Sequence, residues 1–524
     1  MIWYYKFDYH NNLMSSESRT TNSLRNSSVA LAMFFVNLVL QFISRKIFLD
    51  YLGTEILGLN TTATNILQFL NLAELGVWTA IASSLYKPLS SGNKKEICRI
   101  ITFNGHIYRR IAVIIIALSV IVMCFFPLIF SKMKLPLWYA YASFAVLLFS
   151  SLLAYFFNYK QFLLSADQKD YKVQLSYKLN ISVKVAAQII VMCLLPNPYI
   201  WWLVLEVVFA ISGTILLQIV VRKTYPYLKD TGESFQALRK AYPEIILKVK
   251  QLFFQKISGF ALFQIAPLII YGFFSLTLVS YYYNYMIVIM GIISLVSALF
   301  NSMLAGIGNL VATSSHKHIY NVFFQLFSVR FLIITWFCFI VVVSGQTFIE
   351  AWIGKQYLLP DFSLYLFTIV LFLYLSRYII CDYLAAYGWF GDIWASIAEI
   401  VLNIGFSILL GHYYGLNGII FGMIISLLIV STIWKPIYLF HFKLKAERRR
   451  YIYNYALNII VCGVSFLASY RLFNLFQFAQ SNIWIRLIYS AITAAIIYLI
   501  NSGILYYLLV PSFRSFLARF QRHS

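Results

Sequence analysis

Apolar stretch follows apolar stretch along this chain, each near the ~20 residues a helix needs to cross a bilayer, with only short polar breaks between them. So little sequence lies outside these stretches that no separate water-soluble domain fits. Composition agrees: 61% of the 524 residues are hydrophobic and only 11% are charged, against roughly a quarter charged in a soluble domain. The chain is expected to be an all-α, polytopic integral membrane protein.

Apolar windows predict about 14 transmembrane helices. Six are expected at roughly 28–49, 57–84, 108–131, 136–158, 173–195 and 198–221. Six more are expected at roughly 249–273, 276–307, 321–347, 362–386, 389–411 and 415–439, and the last two near 451–472 and 482–510. The intervening loops alternate sharply in basic content. One face collects Lys87, Lys94, Lys95, Arg99, Arg109, Arg110, Lys160, Lys169, Lys172, Lys178 and the Arg448-Arg449-Arg450 run, whereas the other holds Lys132, Lys134 and Lys355 with Asp50, Glu55, Glu350 and Asp361. About 29 basic residues face one way and about 3 the other, which by the positive-inside rule predicts both termini in the cytoplasm. The net charge of +23 is thus read as topology, with no nucleic acid as partner.

The first 27 residues form a polar tail without the basic start, apolar core and small-residue cleavage site of a signal peptide, and the change of composition at Met14 makes that residue a second candidate start. The loop from Arg222 to Lys250 carries an amphipathic stretch around Phe235, Leu238, Ala241 and Ile245, the pattern of a helix lying on a membrane surface. It divides the chain near its middle. Tyr51-Leu52-Gly53 at the start of helix 2 and Phe273-Phe274-Ser275 at the start of helix 8 stand about 220 residues apart, and the loop lengths repeat at that offset, as in transporters built by duplication. The expected plan is a tail (1–27), an N-terminal lobe (28–222), a cytoplasmic linker (223–248), a C-terminal lobe (249–440), a helix pair (441–510) and a C-terminal tail (511–524).

Enzymatic chemistry finds little support. The six cysteines stand singly with no paired spacing, and His316-x-His318 has no carboxylate or cysteine nearby, so no disulfide framework or metal site is expected. Asp50 and Glu55 are the only acidic pair in the first outer loop, and they read as solvated loop charges. The outer loops are too short for the active site of a glycosyltransferase or polymerase.

Ionisable residues inside the spans stand out, since each costs about 2.5–3.5 kcal/mol or more at a helix centre facing lipid. Lys184, Glu206, Lys256, Arg330, Arg377 and Glu399 fall within predicted helices, Arg45 and Lys46 toward the end of helix 1, and Glu74 in helix 2. Two readings stand side by side: a cationic interior that grips phosphate oxygens, or interhelical ion pairs such as Lys184 with Glu399 and Arg377 with Asp382. Snorkelling is a further reading for Arg45, Lys46 and Lys256. The amides Asn37, Gln41, Asn65, Gln68, Asn71, Gln255, Gln264, Asn284 and Asn301 can bond sugar hydroxyls or cement helices. The run Tyr281-Tyr282-Tyr283-Asn284-Tyr285 is read as an interfacial aromatic belt, with sugar stacking as the alternative.

Tyr51-Leu52-Gly53 through Asn71-Leu72-Ala73-Glu74-Leu75-Gly76, Ala351-Trp352-Ile353-Gly354, and Glu399, Asn403, Tyr414-Gly415, Gly418 and Gly422 resemble elements of bacterial O-antigen and capsule repeat-unit flippases. These belong to the multidrug/oligosaccharidyl-lipid/polysaccharide exporter superfamily, and the resemblance runs over essentially the whole chain. It implies a flippase of the bacterial inner membrane that moves undecaprenyl-diphosphate-linked oligosaccharide to the outer leaflet, its lobes rocking around a cationic cavity. It further implies a polysaccharide polymerase as partner, no cofactor, and proton or sodium coupling. Lys184, Lys256, Arg330, Arg377 and Arg45 become candidate headgroup ligands, and Glu74 and Glu399 candidates for ion coupling or for pairing those bases. Helix 8 departs from the pattern in lacking a basic residue. The rivals are a lipid-II-type flippase and a cation-coupled multidrug exporter, the latter opposed by the absence of a carboxylate in helix 1 between Ser28 and Asp50. A membrane glycosyltransferase or polymerase is a more distant one.

Overall fold

The computed structural model describes residues 19–74, 76–301, 303–387, 389, 391–444, 448–476 and 482–523. Every regular element among them is a helix. Eleven helices are long and apolar enough to cross a membrane, and two of these are too long for one crossing: Ser28–Leu70 with 43 residues and Ile393–Phe442 with 50. At 1.5 Å per residue a straight rod of either would extend roughly 65–75 Å, about twice a bilayer core.

Each long helix is folded at a glycine. Gly53 (φ 80, ψ 174) and Gly415 (φ 63, ψ −142) interrupt the helical backbone in a region that side chains strain to enter. The second turn closes tightly, because a Cβ on Gly418 would lie 1.9 Å from the Leu410 carbonyl oxygen and one on Gly422 would lie 2.3 Å from the Ser407 nitrogen. Divided at these glycines, the eleven helices make thirteen segments. Pro243–Gln264 with Ala266–Phe273 is the fourteenth, so the polytopic all-α plan is present.

Several predicted spans are longer or more broken than expected. The third, predicted at roughly 108–131, runs Lys94–Cys124, begun by Asn93, whose side chain accepts a hydrogen bond from the Glu96 backbone. Its polar first half escaped the apolar window because protein, not lipid, covers Ile97, Ile100, Ile101 and Phe103, and Lys94, Lys95 and Arg99 are therefore helical rather than loop residues. The second span gives way at a 3-10 turn, Asn71–Glu74, followed by Gly76 at φ 91 before helix resumes at Val77–Ser90. The eighth divides into Leu276–Asn301 and Leu304–Thr313, and the tenth into Asp361–Ser376 and Tyr378–Ala386 with Arg377 at the join.

Contacts group the chain into two units, residues 1–53 with 66–253 and residues 54–65 with 254–524. In the first, the predicted linker is wrapped onto the Lys94–Cys124 helix. Phe235 and Tyr242 lie 5.6 and 6.1 Å from the Phe103 ring, the Arg110 guanidinium sits 3.5 Å over Phe235, and Leu238 and Ile245 are fully buried. The amphipathic pattern read as membrane-facing is here satisfied by protein.

In the second unit the last two spans, Arg448–Phe473 and Ile483–Leu509, are anchored to His316–Ile353. Trp336 Nε1 donates to the Ala495 carbonyl at 2.9 Å, and Phe339 stacks on Tyr498 at 5.0 Å. Two tyrosines of the run read as an interfacial belt are instead covered by protein. Tyr282 and Tyr285 are core residues, with Tyr285 stacked on Phe367 at 5.6 Å and donating to Gln346 Oε1 at 2.6 Å, because the face they occupy meets the Asp361–Ser376 helix.

Candidate functional site

A charge within a span needs a partner or an interior, and the first unit provides partners. Lys184, on Leu179–Leu194, places Nζ 2.6 Å from Glu206 Oε1 on the neighbouring Pro198–Thr224 helix. Gln188, one turn further along, donates to Glu206 Oε2 at 3.0 Å. The carboxylate beside Lys184 within its own unit is thus Glu206, where the sequence suggested Glu399. Two residues before Lys184, Ser182 donates to Asn37 Oδ1 at 2.9 Å, and Asn71 donates to Ser151 at 3.3 Å, so these two amides join helices.

Glu74 closes the 3-10 turn that breaks the second span and accepts a hydrogen bond from the buried Tyr108 hydroxyl at 2.8 Å. Tyr108 packs beside Tyr155, Tyr159 and Phe162. The carboxylate thus has a phenol, not a base, as its hydrogen-bond partner. Arg45 is buried and Lys46 is exposed. Lys256 lies on Pro243–Gln264, but its side chain is outside the described residues.

The second unit assembles the richest chemistry. Arg330, with a side chain 3% exposed, reaches Asp382 Oδ2 at 2.6 Å and lies 4.5 Å over the Phe300 ring. Arg377 approaches Glu399 Oε1 at the looser distance of 3.4 Å and stands 4.0 Å over Tyr374. The expected pairing of Arg377 with Asp382 is therefore exchanged: Arg330 takes Asp382, and Arg377 takes Glu399. Ser431 also donates to Glu399 Oε1 at 3.3 Å, while the buried Oε2 receives no hydrogen bond among the described residues.

Aromatic rings connect the two arginines. Phe300 is 6.4 Å from Tyr378, and Tyr378 is 6.0 Å from Tyr374. Tyr374, Arg377, Tyr378 and Asp382 recur at i, i+3, i+4 and i+8, so they share one stripe of the tenth span. Tyr374 and Tyr378 are partly exposed, and the Arg377 side chain keeps 12% of its surface open. Arg330, Arg377 and Glu399 are thus brought into one neighbourhood, while Lys184 and Glu74 belong to the other unit. Tyr374, Tyr378 and Phe300 went unread in the sequence; the helical spacing of the two tyrosines about Arg377 was the available signal.

This stripe, with Arg330 and Glu399 beside it on neighbouring helices, gives two guanidinium groups, two phenols and two carboxylates that can bind phosphate oxygens through arginine and lay aromatic faces against sugar rings. Comparison with solved structures places this geometry in a known fold. The chain is similar to the lipid II flippase MurJ in an inward closed conformation, with a TM-score of 0.65 at 17% identity over 92% of this chain and 99% of that one. Its fold is that of the MOP-superfamily transporters.

An inward-facing multidrug resistance MATE transporter of the MOP superfamily gives a TM-score of 0.57 at 13% identity, covering 81% of this chain and 99% of that one. A MOP-superfamily transporter from Pyrococcus furiosus, for which reversed polarity of the binding pocket suggests a different function, gives 0.52 at 12% identity over 82% and 97%. No protein-family profile and no curated protein matches the sequence. These MOP-fold neighbours are transporters and a flippase rather than enzymes, and the chain shares their multi-pass membrane architecture.

Proposed function

We propose that this protein is a lipid-linked oligosaccharide flippase. It carries undecaprenyl-diphosphate-linked polysaccharide repeat units from the cytoplasmic to the outer leaflet of a bacterial inner membrane, by alternating access, for O-antigen, capsule or exopolysaccharide synthesis. The observation that carries this reading is the stripe of Tyr374, Arg377 and Tyr378 beside Arg330 in the second unit. It offers cations for a diphosphate and ring faces for sugars. Support also comes from the likeness to a lipid II flippase over 92% of the chain, and from the basic loops, which put both termini in the cytoplasm.

In this reading the diphosphate exchanges for carboxylate partners: Glu399 at Arg377, Asp382 at Arg330 and Glu206 at Lys184. Arg377 exchanges most readily, because its 3.4 Å contact is the longest of the three. Arg45 and Lys256 supply further positive charge along the path. Glu74, in the break of the second span, takes the coupling proton or sodium ion. A polysaccharide polymerase uses the product on the far side.

A multidrug exporter is the comparable alternative, favoured by the likeness to MATE transporters, and a lipid II flippase differs only in cargo. Deletion of the gene followed by mass spectrometry of extracted polyprenyl-diphosphate lipids separates them. Accumulated repeat-unit lipid with loss of surface glycan is the expected outcome. Unchanged lipids and glycan with new drug sensitivity refute the proposal, and accumulated lipid II redirects it to the wall precursor.

A further inference from the structure

A second set of polar groups lies apart from the arginine stripe, where the Ile393–Ser426 helix begins and the span containing Lys435–Leu439 nears its end. Asp392 holds the N-cap position of Ile393–Ser426, yet its side chain makes no cap hydrogen bond, and its buried Oδ2 receives no hydrogen bond among the described residues. The Trp434 Nε1–H is likewise buried without an acceptor among the described residues. Lys435 finds only the Cys381 sulfur, at 3.9 Å, a weak acceptor, and forms no ion pair among the described residues. The residues on either side of Asp392 lie against this span: a Cβ on Gly391 would stand 2.9 Å from the Tyr438 hydroxyl, and Trp394 meets Trp434 at 4.5 Å. Burial pushes the Asp392 carboxyl above its ordinary range, with the Lys435 ammonium acting in the opposite direction.

Aromatic rings enclose these groups on one flank. Trp394 and Trp434 meet edge-to-face at 4.5 Å, Trp434 stacks toward Tyr438 at 6.1 Å, and Tyr438 adjoins Phe442 at 5.2 Å. The adjoining Trp394, Ile433 and Ile437 are exposed, which in a spanning segment is the surface turned to acyl chains. Two π-helical stretches, Leu427–Trp434 and Phe440–Leu444, bracket the short Lys435–Leu439 helix. Such widened turns commonly sit at functional sites.

An acceptor and two donors left unmet together specify their ligand. A simple anion would satisfy Trp434 and Lys435 but be repelled by Asp392, and a simple amine would have the opposite difficulty. A headgroup with a phosphodiester and a primary ammonium two carbons apart satisfies all three. We propose that Asp392, Trp434 and Lys435 form a selective site for an aminoethyl phospholipid. The phosphodiester oxygens accept hydrogen bonds from Trp434 Nε1 and Lys435 Nζ, the ammonium donates to Asp392 Oδ2 beside the tryptophan faces, and the acyl chains lie along Trp394, Ile433 and Ile437.

Native mass spectrometry of the full chain in detergent, titrated separately with phosphatidylethanolamine, its N-methyl and N,N-dimethyl derivatives, phosphatidylcholine and phosphatidylglycerol, tests this directly. Retention should be several-fold higher for phosphatidylethanolamine than for phosphatidylglycerol, and should fall stepwise with methylation as ammonium donors are lost. Asp392→Asn should erase the preference, whereas Trp434→Phe and Lys435→Gln should weaken retention of every phospholipid. Equal retention of all five lipids by the unaltered chain overturns the proposal, a result that needs no variant to fold. Displacement of the lipid by soluble phosphoethanolamine at equal concentration would overturn the assignment of the site to a membrane lipid.

Discussion

In the proposed function the buried Arg330–Asp382 pair serves both folding and transport. Removing one partner strands the other charge, at about 3–5 kcal/mol, whereas neutralising both is often tolerated. Arg330→Ala should therefore lower stability strongly, and its loss of transport would be ambiguous. Arg330→Gln with Asp382→Asn is informative, since the pair is removed without leaving a charge behind. Thermal unfolding near that of the unaltered protein, together with loss of surface glycan, is expected, and restored glycan would assign the pair to folding alone. Arg377 offers the complementary case. A lysine keeps its charge but loses the planar fork that grips phosphate and stacks on Tyr374, so Arg377→Lys should insert and unfold normally while export falls at least several-fold.

Elements acquire their roles through their breaks and their clamps. The segment after the sixth span is fastened to the third by Arg99, whose Nε and Nη2 reach both Glu233 oxygens at 2.7 and 2.9 Å, and by the Tyr242 hydroxyl donating to Glu96 Oε1 at 2.6 Å. The Arg99 guanidinium holds the Glu233 carboxyl below the ordinary glutamate range. A depressed carboxyl contributes stability above its unfolded value, and that contribution is lost as pH falls through the folded value. Protection of residues 225–245 from hydrogen exchange, relative to the intrinsic rate at each pH, should thus be high at neutral pH and fall on acidification below the normal glutamate range, and Glu233→Gln should be less protected already at neutral pH. Uniform protection in both conditions would show that the aromatic contacts suffice.

The reversal at Gly415 makes a sharper demand. Gly415→Val forces a β-branched residue to φ 63, a conformation costing about 1–3 kcal/mol. It should lower the unfolding temperature, whereas Gly405→Ala, at a position with open space around its Cβ, should not.

At the scale of the whole molecule, the spans and their number were legible because lipid imposes one coarse rule, about 20 apolar residues per crossing. That rule sees only surfaces meeting lipid. The polar first half of Lys94–Cys124 is covered by protein, so its start was misplaced, and Tyr282 and Tyr285 looked interfacial until packing against Phe367 showed them to be core. The charged residues that distinguish the chain were legible individually, because a charge in a span always needs an explanation. Their partners were not, since Arg330 and Asp382 stand 52 residues apart and nothing local distinguishes Asp382 from Glu399 as a mate.

Export of a lipid-linked anion is the central claim, and transfer in purified vesicles tests it most directly. Proteoliposomes holding only this protein, loaded in one leaflet with a fluorescent polyprenyl-diphosphate oligosaccharide, would be followed with a membrane-impermeant quencher. Transfer by the unaltered chain, lost in Arg377→Lys and in the Arg330→Gln/Asp382→Asn pair, is the predicted result. A substrate that stays in its leaflet while the same vesicles transport a cationic dye would contradict the account.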